Sequence, residues 1–334
     1  MNAHTPALTA MTSTAVTATA GAARWRPTST LGVGGDEGNV LNTPIDVAFT
    51  PGHALLVLNR CCAWKEQNPR ITVTALDEPA QARTFGTWGH ELGGLIDPSA
   101  IMVSRDGISY VADAATHTIT AYDPDGAPMR RLGTPETPAL TLSRPSGLAE
   151  GSTGEIWVSD SGNGRLVAFD PHGALLHVTP AAVELNEPWG LTIDDDGNIY
   201  IADWGADRVL VLDPTGAPHA ERGIHLLHRP AGIAVDNDHL YVSDWGHHRV
   251  VVLTAEGELA DMWPGGASLS TWAQEFLQDW PLVADTYTAA KGAGTLDELA
   301  AFVRPAGIAV GPAGTVCVAD SGRHRIQVYA PEKP

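Results

Sequence analysis

A short phrase recurs along this chain and restricts its possible folds more than any other feature. It reads Val111-Ala112-Asp113, Val158-Ser159-Asp160, Ile201-Ala202-Asp203, Val242-Ser243-Asp244 and Val318-Ala319-Asp320, with a weaker copy at Val57-Leu58-Asn59. Four of these lead through a short turn into a second apolar run: residues 165–169, 208–212, 249–253 and 325–329. A Pro-x-Gly step precedes the phrase at Pro145, Pro188, Pro230 and Pro305, and degenerate copies stand at Pro44 and Pro98. Successive prolines lie 54, 47, 43, 42 and 75 residues apart. The middle intervals match the ~40–45 residues of a four-stranded propeller blade. The long ones imply insertions in the first and fifth units.

The fifth unit illustrates the expected blade. Residues 231–235 form a short apolar strand, and Asp236-Asn237-Asp238 supplies a tight turn. Residues 239–243 and 249–253 make the next two strands, and residues 259–263 a weaker fourth. One such blade is marginal alone and must stack on neighbours. The expected fold is therefore all-β, a six-bladed propeller of four-stranded antiparallel blades. The last unit stops after its third strand at Tyr329, while Trp25–Gly32 precedes the first unit without a blade of its own. That leading segment is expected to complete blade 6, removing the edge an open sheet would expose. Residues 1–23 read as a disordered Ala/Thr-rich tail, and residues 24–334 as the propeller with an insertion at 265–303.

The order Pro-x-Gly-Ile-Ala-Val, then Val-x-Asp-x-Gly-Asn/His-x-Arg-Ile/Val, resembles the NHL repeat. Asp160-Ser-Gly-Asn163-Gly-Arg165 and Asp320-Ser-Gly-Arg323-His324-Arg325 follow it closely. Blade 1 departs, with Asn59 in the Asp slot, and so does blade 2, with Thr116 and Thr118 where Asn and Arg would stand. The resemblance spans roughly residues 43–331. It implies the propeller fold and leaves function open, because propellers carry unrelated activities.

Composition excludes several partners. Lys and Arg number 20 against 39 Asp and Glu, a net charge of −19, so a nucleic-acid partner is not expected. No apolar run approaches the ~20 residues of a membrane span. Cys61, Cys62 and Cys317 form no disulfide framework. With no cationic, apolar leader at the start, this favours a reducing, cytoplasmic setting. A monomer is expected.

Topology places candidate function at one mouth of the central channel. In an up-and-down blade, the connector into strand one and the turn between strands two and three share a rim. Both insertions fall there: Arg60 to Pro69 in blade 1, and about 265–303 between blades 5 and 6. Trp272, Phe276, Leu277 and Trp280 recur at helical spacing, and Thr295-Leu-Asp-Glu298 matches a capping box before Phe302. Two short helices are expected, either as a lid or as external decoration. The rim is lopsided. Trp189, Trp204 and Trp245 fall on one side, and Asp46, Arg60 and Trp64 on the other, with Ser99, Ser146 and Trp272 as further candidate ligand contacts. Asp46 replaces the Gly of four other copies, and a polar group in an inner strand needs a partner. The repeated Asp and Arg, present in blade after blade, are expected to serve the blade itself.

A catalytic reading gives Asp46 the role of base or cation ligand and Arg60 that of anion anchor. His225, His228 and His247 are the weak candidates for a metal. The resemblance implies a divalent cation in some related propellers: amidating lyases hold zinc with channel His, and lactonase-type propellers hold a cation with acidic and amide side chains. The corresponding positions here, Ile45, Ser99, Ser146, Trp189, Ala231 and Ala306, contain no His. Two functions remain open. One is a small-molecule site at the decorated mouth, with lyase- or hydrolase-type chemistry; the other is a non-catalytic scaffold for a peptide or protein partner.

Overall fold

Six four-stranded antiparallel sheets form the propeller, five built by one repeat each and the sixth by the last repeat together with the N-terminal strand. The computed structural model describes residues 25–32, 41–60, 68–76, 82–133, 141–236, 238–266 and 301–332. The inner strands are Pro44–Phe49, Pro98–Val103, Pro145–Glu150, Pro188–Ile193, Pro230–Val235 and Pro305–Val310. Blade 6 continues through Val316–Asp320 and Arg325–Pro331 and is completed by Trp25–Leu31, which pairs antiparallel with the third strand. The two ends of the chain thus share one sheet, as the truncated last unit requires. A two-stranded parallel ladder, Thr87–Trp88 with Gly94–Leu95, lies between blades 1 and 2 and contributes to their long spacing. The helices expected within the 265–303 insertion lie outside the described residues, except that Phe302 is non-helical. Phe302 N–H donates to Pro264 O at 2.9 Å, so the insertion leaves and returns at one point.

Burial is divided among the blade interfaces. The described core falls into six apolar clusters, each drawn from two neighbouring blades. Each sheet therefore holds only its neighbours, as in other repeat arrays. The seam between blades 5 and 6 is aromatic. Trp25 packs edge-on to His239 at 4.8 Å and Tyr241 at 5.5 Å, and Trp263 stacks on Tyr329 at 4.3 Å. The N-terminal strand thus closes blade 6 by its backbone and locks it to blade 5 through one indole.

The repeated Asp and Arg clamp the chain as it enters blades 3 to 6. Asp160, Asp203, Asp244 and Asp320 are fully buried. One oxygen of each accepts the backbone N–H two residues before the Pro: Ser143 at 2.6 Å, Asn186 at 2.7 Å, His228 at 2.7 Å and Val303 at 2.7 Å. The other accepts Nε of Arg165, Arg208, Arg249 or Arg325 at 2.7–2.9 Å. Each Arg also donates to a connector carbonyl two residues further back, such as Leu226 O at 2.7 Å from Arg249. The carboxylate is desolvated but fully paired, which is the condition under which a buried ion pair is tolerated. Asn59 and Asp113 grip the connector backbone in blades 1 and 2, accepting Asn42 N–H at 3.0 Å and Ile96 N–H at 2.7 Å.

Removing one partner leaves the other buried and unsatisfied. Asp244→Ala is expected to lower the unfolding free energy by roughly 3–5 kcal/mol, whereas Asp213→Ala on an exposed turn should have a far smaller effect. Trp25→Ala should cost about 3 kcal/mol through lost aromatic packing. Urea denaturation of the three variants checks these values.

Candidate functional site

Every inner strand opens with an irregularity. Pairing with the second strand slips just after each Pro, between Pro44 and Asp46 in blade 1 and between Pro188 and Leu191 in blade 4. The slip brings neighbouring inner strands together at the rim. A side chain on Gly190 would lie 2.3 Å from Ala231 O of the next blade, so only Gly fits there. The six inner strands enclose a channel of about 260 Å³, near the lower end for small-molecule sites.

Asp46 is the one ionisable side chain among the described residues lining that channel. It occupies the slot that Gly fills in blades 3 to 6. Its Oδ2 accepts Ile101 N–H of blade 2 at 2.8 Å, and its Oδ1 accepts Val47 N–H at 2.9 Å. On the other side, a Cβ on Gly307 would fall 2.1 Å from Oδ1, so the Gly of blade 6 makes room for this carboxylate. Burial raises the Asp46 pKa to about 7, and the two backbone donors only partly oppose it. The carboxyl therefore keeps its proton to much higher pH than a solvated Asp does.

Across the ring stands an aromatic wall. Trp189 lines the channel, its ring lies 4.5 Å from that of Trp204, and Trp204 lies 4.9 Å from Trp245. All three are half-buried. Trp204 and Trp245 occupy the position of Ser161 and Ser321, whose hydroxyls bond to Pro188 O and Pro44 O of the following blades. In blades 4 and 5 a cation–π contact is found at this position: Arg229 lies 5.9 Å from the Trp204 ring and Arg304 5.2 Å from that of Trp245. Sequence reasoning overlooked both arginines, although each precedes a repeat Pro.

The other candidates separate. Ser99 and Ser146 line the channel, but their hydroxyls tie blades together, donating to Pro145 O at 2.6 Å and Pro188 O at 2.8 Å. Arg60 reaches the rim and pairs there with Asp97 at 2.8 Å. Trp64, Trp272, Cys61 and Cys62 lie outside the described residues. Cys317 is buried, and burial pushes its thiol pKa up.

The His residues do not make a metal centre. His228 and His247 meet, with ring centroids 5.5 Å apart, but they face Asp207 and Asp244 respectively, and Asp244 is already clamped. His248 Nδ1 accepts Arg304 N–H at 3.1 Å, and His225 is exposed. No group of three potential ligands comes together among the described residues. With one carboxylate in the channel, the donor set does not fit the divalent cation implied by related propellers.

The NHL-repeat family model matches residues 142–169, 185–212, 227–253 and 302–329. These are blades 3 to 6, each from an apolar residue three before the connector Pro into the third strand. The protein is thus a six-bladed β-propeller carrying four NHL repeats, and the unmatched blades 1 and 2 are those whose motifs depart. No curated protein sequence matches the chain. Among solved structures it is similar to a streptogramin B lyase at 13% identity, covering 93% of this chain and 98% of that one, with a TM-score of 0.58. A virginiamycin B lyase from Staphylococcus aureus aligns at 13% identity over 92% and 99% of the two chains, TM-score 0.60. An auxiliary nutrient binding protein from Bacteroides ovatus aligns at 16% over 93% and 78%, TM-score 0.62. At such identities what is shared is the fold.

The raised Asp46 pKa has a testable sign. Ionising this carboxyl in the fold costs free energy that the unfolded chain does not spend. Relative to Asp46→Asn, the wild type should lose stability as pH rises from about 4 to about 7, then hold constant, by at most about 4 kcal/mol. Denaturant midpoints of both proteins across pH 4–8 check this; a difference independent of pH would contradict it.

Proposed function

We propose that the channel mouth binds a small, partly apolar organic molecule and that Asp46 serves as proton acceptor in a lyase- or hydrolase-type reaction on it. The observation carrying this reading is the pairing of Asp46 with Trp189 across one channel. An indole wall holds the apolar part of a ligand, and a carboxylate opposite it faces the part to be deprotonated. A carboxyl near pH 7 suits general-base work, since it accepts a proton and releases it without a large penalty either way. A streptogramin B lyase and an auxiliary nutrient binding protein are among the similarly folded structures, so the fold is compatible with small-molecule roles. Arg60 orders the rim through Asp97 rather than meeting the ligand directly. Proposed further are a cytoplasmic setting and action as a monomer.

A thermal-shift screen of small metabolites on the full chain tests the reading. A hit should stabilise the wild type and lose most of its shift in Trp189→Ala. With an identified substrate, Asp46→Asn should retain binding but lower kcat by about 10²–10⁴-fold. Wild-type kcat/KM should rise with pH through about 7. Hits insensitive to Trp189→Ala would place binding elsewhere and favour the peptide-scaffold alternative.

A further inference from the structure

We infer that the ligand of this mouth is an organic anion with a flat apolar body, and that Arg229 and Arg304 receive its charge. The inference deepens the proposed function and rests on the mouth being a ligand site.

Rim geometry comes first. The residue before the connector Pro adopts a left-handed backbone in five blades: Thr43, Arg144, Glu187, Arg229 and Arg304, at φ of 50–56°. Bonds from the preceding blade hold this conformation, as Asp207 Oδ1 accepts Arg229 N–H at 2.7 Å and His248 Nδ1 accepts Arg304 N–H at 3.1 Å. The repeat thus builds the same perch around the rim, and the side chain occupying it varies. On the aromatic side the occupants are Glu187, ahead of Trp189, and then Arg229 and Arg304. Each guanidinium lies by an indole of the continuous Trp189–Trp204–Trp245 wall. Both are exposed, and neither pairs with a carboxylate among the described residues.

The charge of the whole molecule makes these two cations unusual. The net charge is −19, and acidic residues stand at both ends of the channel: Asp106, Asp194, Asp195, Asp196 and Asp236 on the turns of the opposite end, and Asp97, Glu187 and Asp207 on the arginine-bearing rim, where Asp97 is held by Arg60 and Asp207 by His228 and the Arg229 N–H. Against that background Arg229 and Arg304 supply local positive charge directly beside the indoles. Guanidinium groups flanking indoles offer a planar anion both an ion pair and a stacking surface. A purely structural role for the two arginines accounts for the cation–π contacts but gives them no influence on which ligand binds.

The test compares two probes on the full chain by calorimetry and tryptophan fluorescence: 2-naphthoate and its neutral analogue 2-naphthylmethanol. Naphthoate should bind at least about tenfold more tightly at low salt, with the advantage shrinking as salt is raised. Arg229→Gln/Arg304→Gln should bring the two affinities together by weakening naphthoate alone, with unfolding midpoint unchanged. Arg229→Lys/Arg304→Lys should restore part of the preference. Equal binding of both probes, or a preference that survives the double Gln variant, overturns the inference while leaving the mouth a ligand site. Failure of both probes to bind, together with a metabolite screen without hits, removes both readings.

Discussion

The buried grip on each incoming connector, made by Asp and Arg together in blades 3 to 6, is the interaction on which the rest depends. A blade presents an apolar face on either side and has no independent core, so its position is set by how the chain enters it. One carboxylate oxygen grips the connector backbone and the other grips the Arg, whose far nitrogen grips the connector again. That three-way contact sets where the Pro falls, and the Pro begins the inner strand. The channel is therefore a by-product of six connectors gripped alike by their backbone N–H, through the full Asp–Arg clamp in blades 3 to 6 and through Asn59 and Asp113 in blades 1 and 2. Such clamps explain why the most repeated charged residues take no part in the candidate chemistry.

Function on a ring of near-identical units has to come from where the units differ. Close approach of inner strands demands Gly at the rim, and the exception is informative because its cost is visible. Asp46 stands where its neighbours crowd, satisfied by Ile101 N–H and accommodated by the bare Cα of Gly307. Blades 1, 2 and 6 must fit one another for that carboxylate to exist there. Desolvation then moves its proton affinity into the neutral range, a property belonging to the assembled ring.

The aromatic side shows a second kind of difference. Ser161 and Ser321 tie adjacent blades with a hydroxyl, whereas Trp204 and Trp245 place an indole beside an arginine of the following connector. Either device suits a blade boundary. The indole also leaves a half-buried aromatic face at the channel mouth, so a structural position doubles as a recognition surface. Ser99 and Ser146 illustrate the opposite outcome: they line the channel, yet their hydroxyls are consumed by the fold.

Periodicity alone determined the six blades, the strand phrases, the structural role of the repeated Asp and Arg, and the closure of blade 6 by Trp25–Leu31. Each follows from local pattern, since a strand's turn residues and apolar alternation are written in adjacent positions. Asp46 and the three Trp residues were also legible, as departures from the repeat. The tertiary structure decided what those departures meet. It turned Arg60 toward Asp97, split the His set among ties already made, and put Arg229 and Arg304 beside indoles from the preceding turn. These outcomes depend on contacts across blade boundaries, and the distance between two rims some 40 residues apart is set by ring packing, not by any interval along the chain.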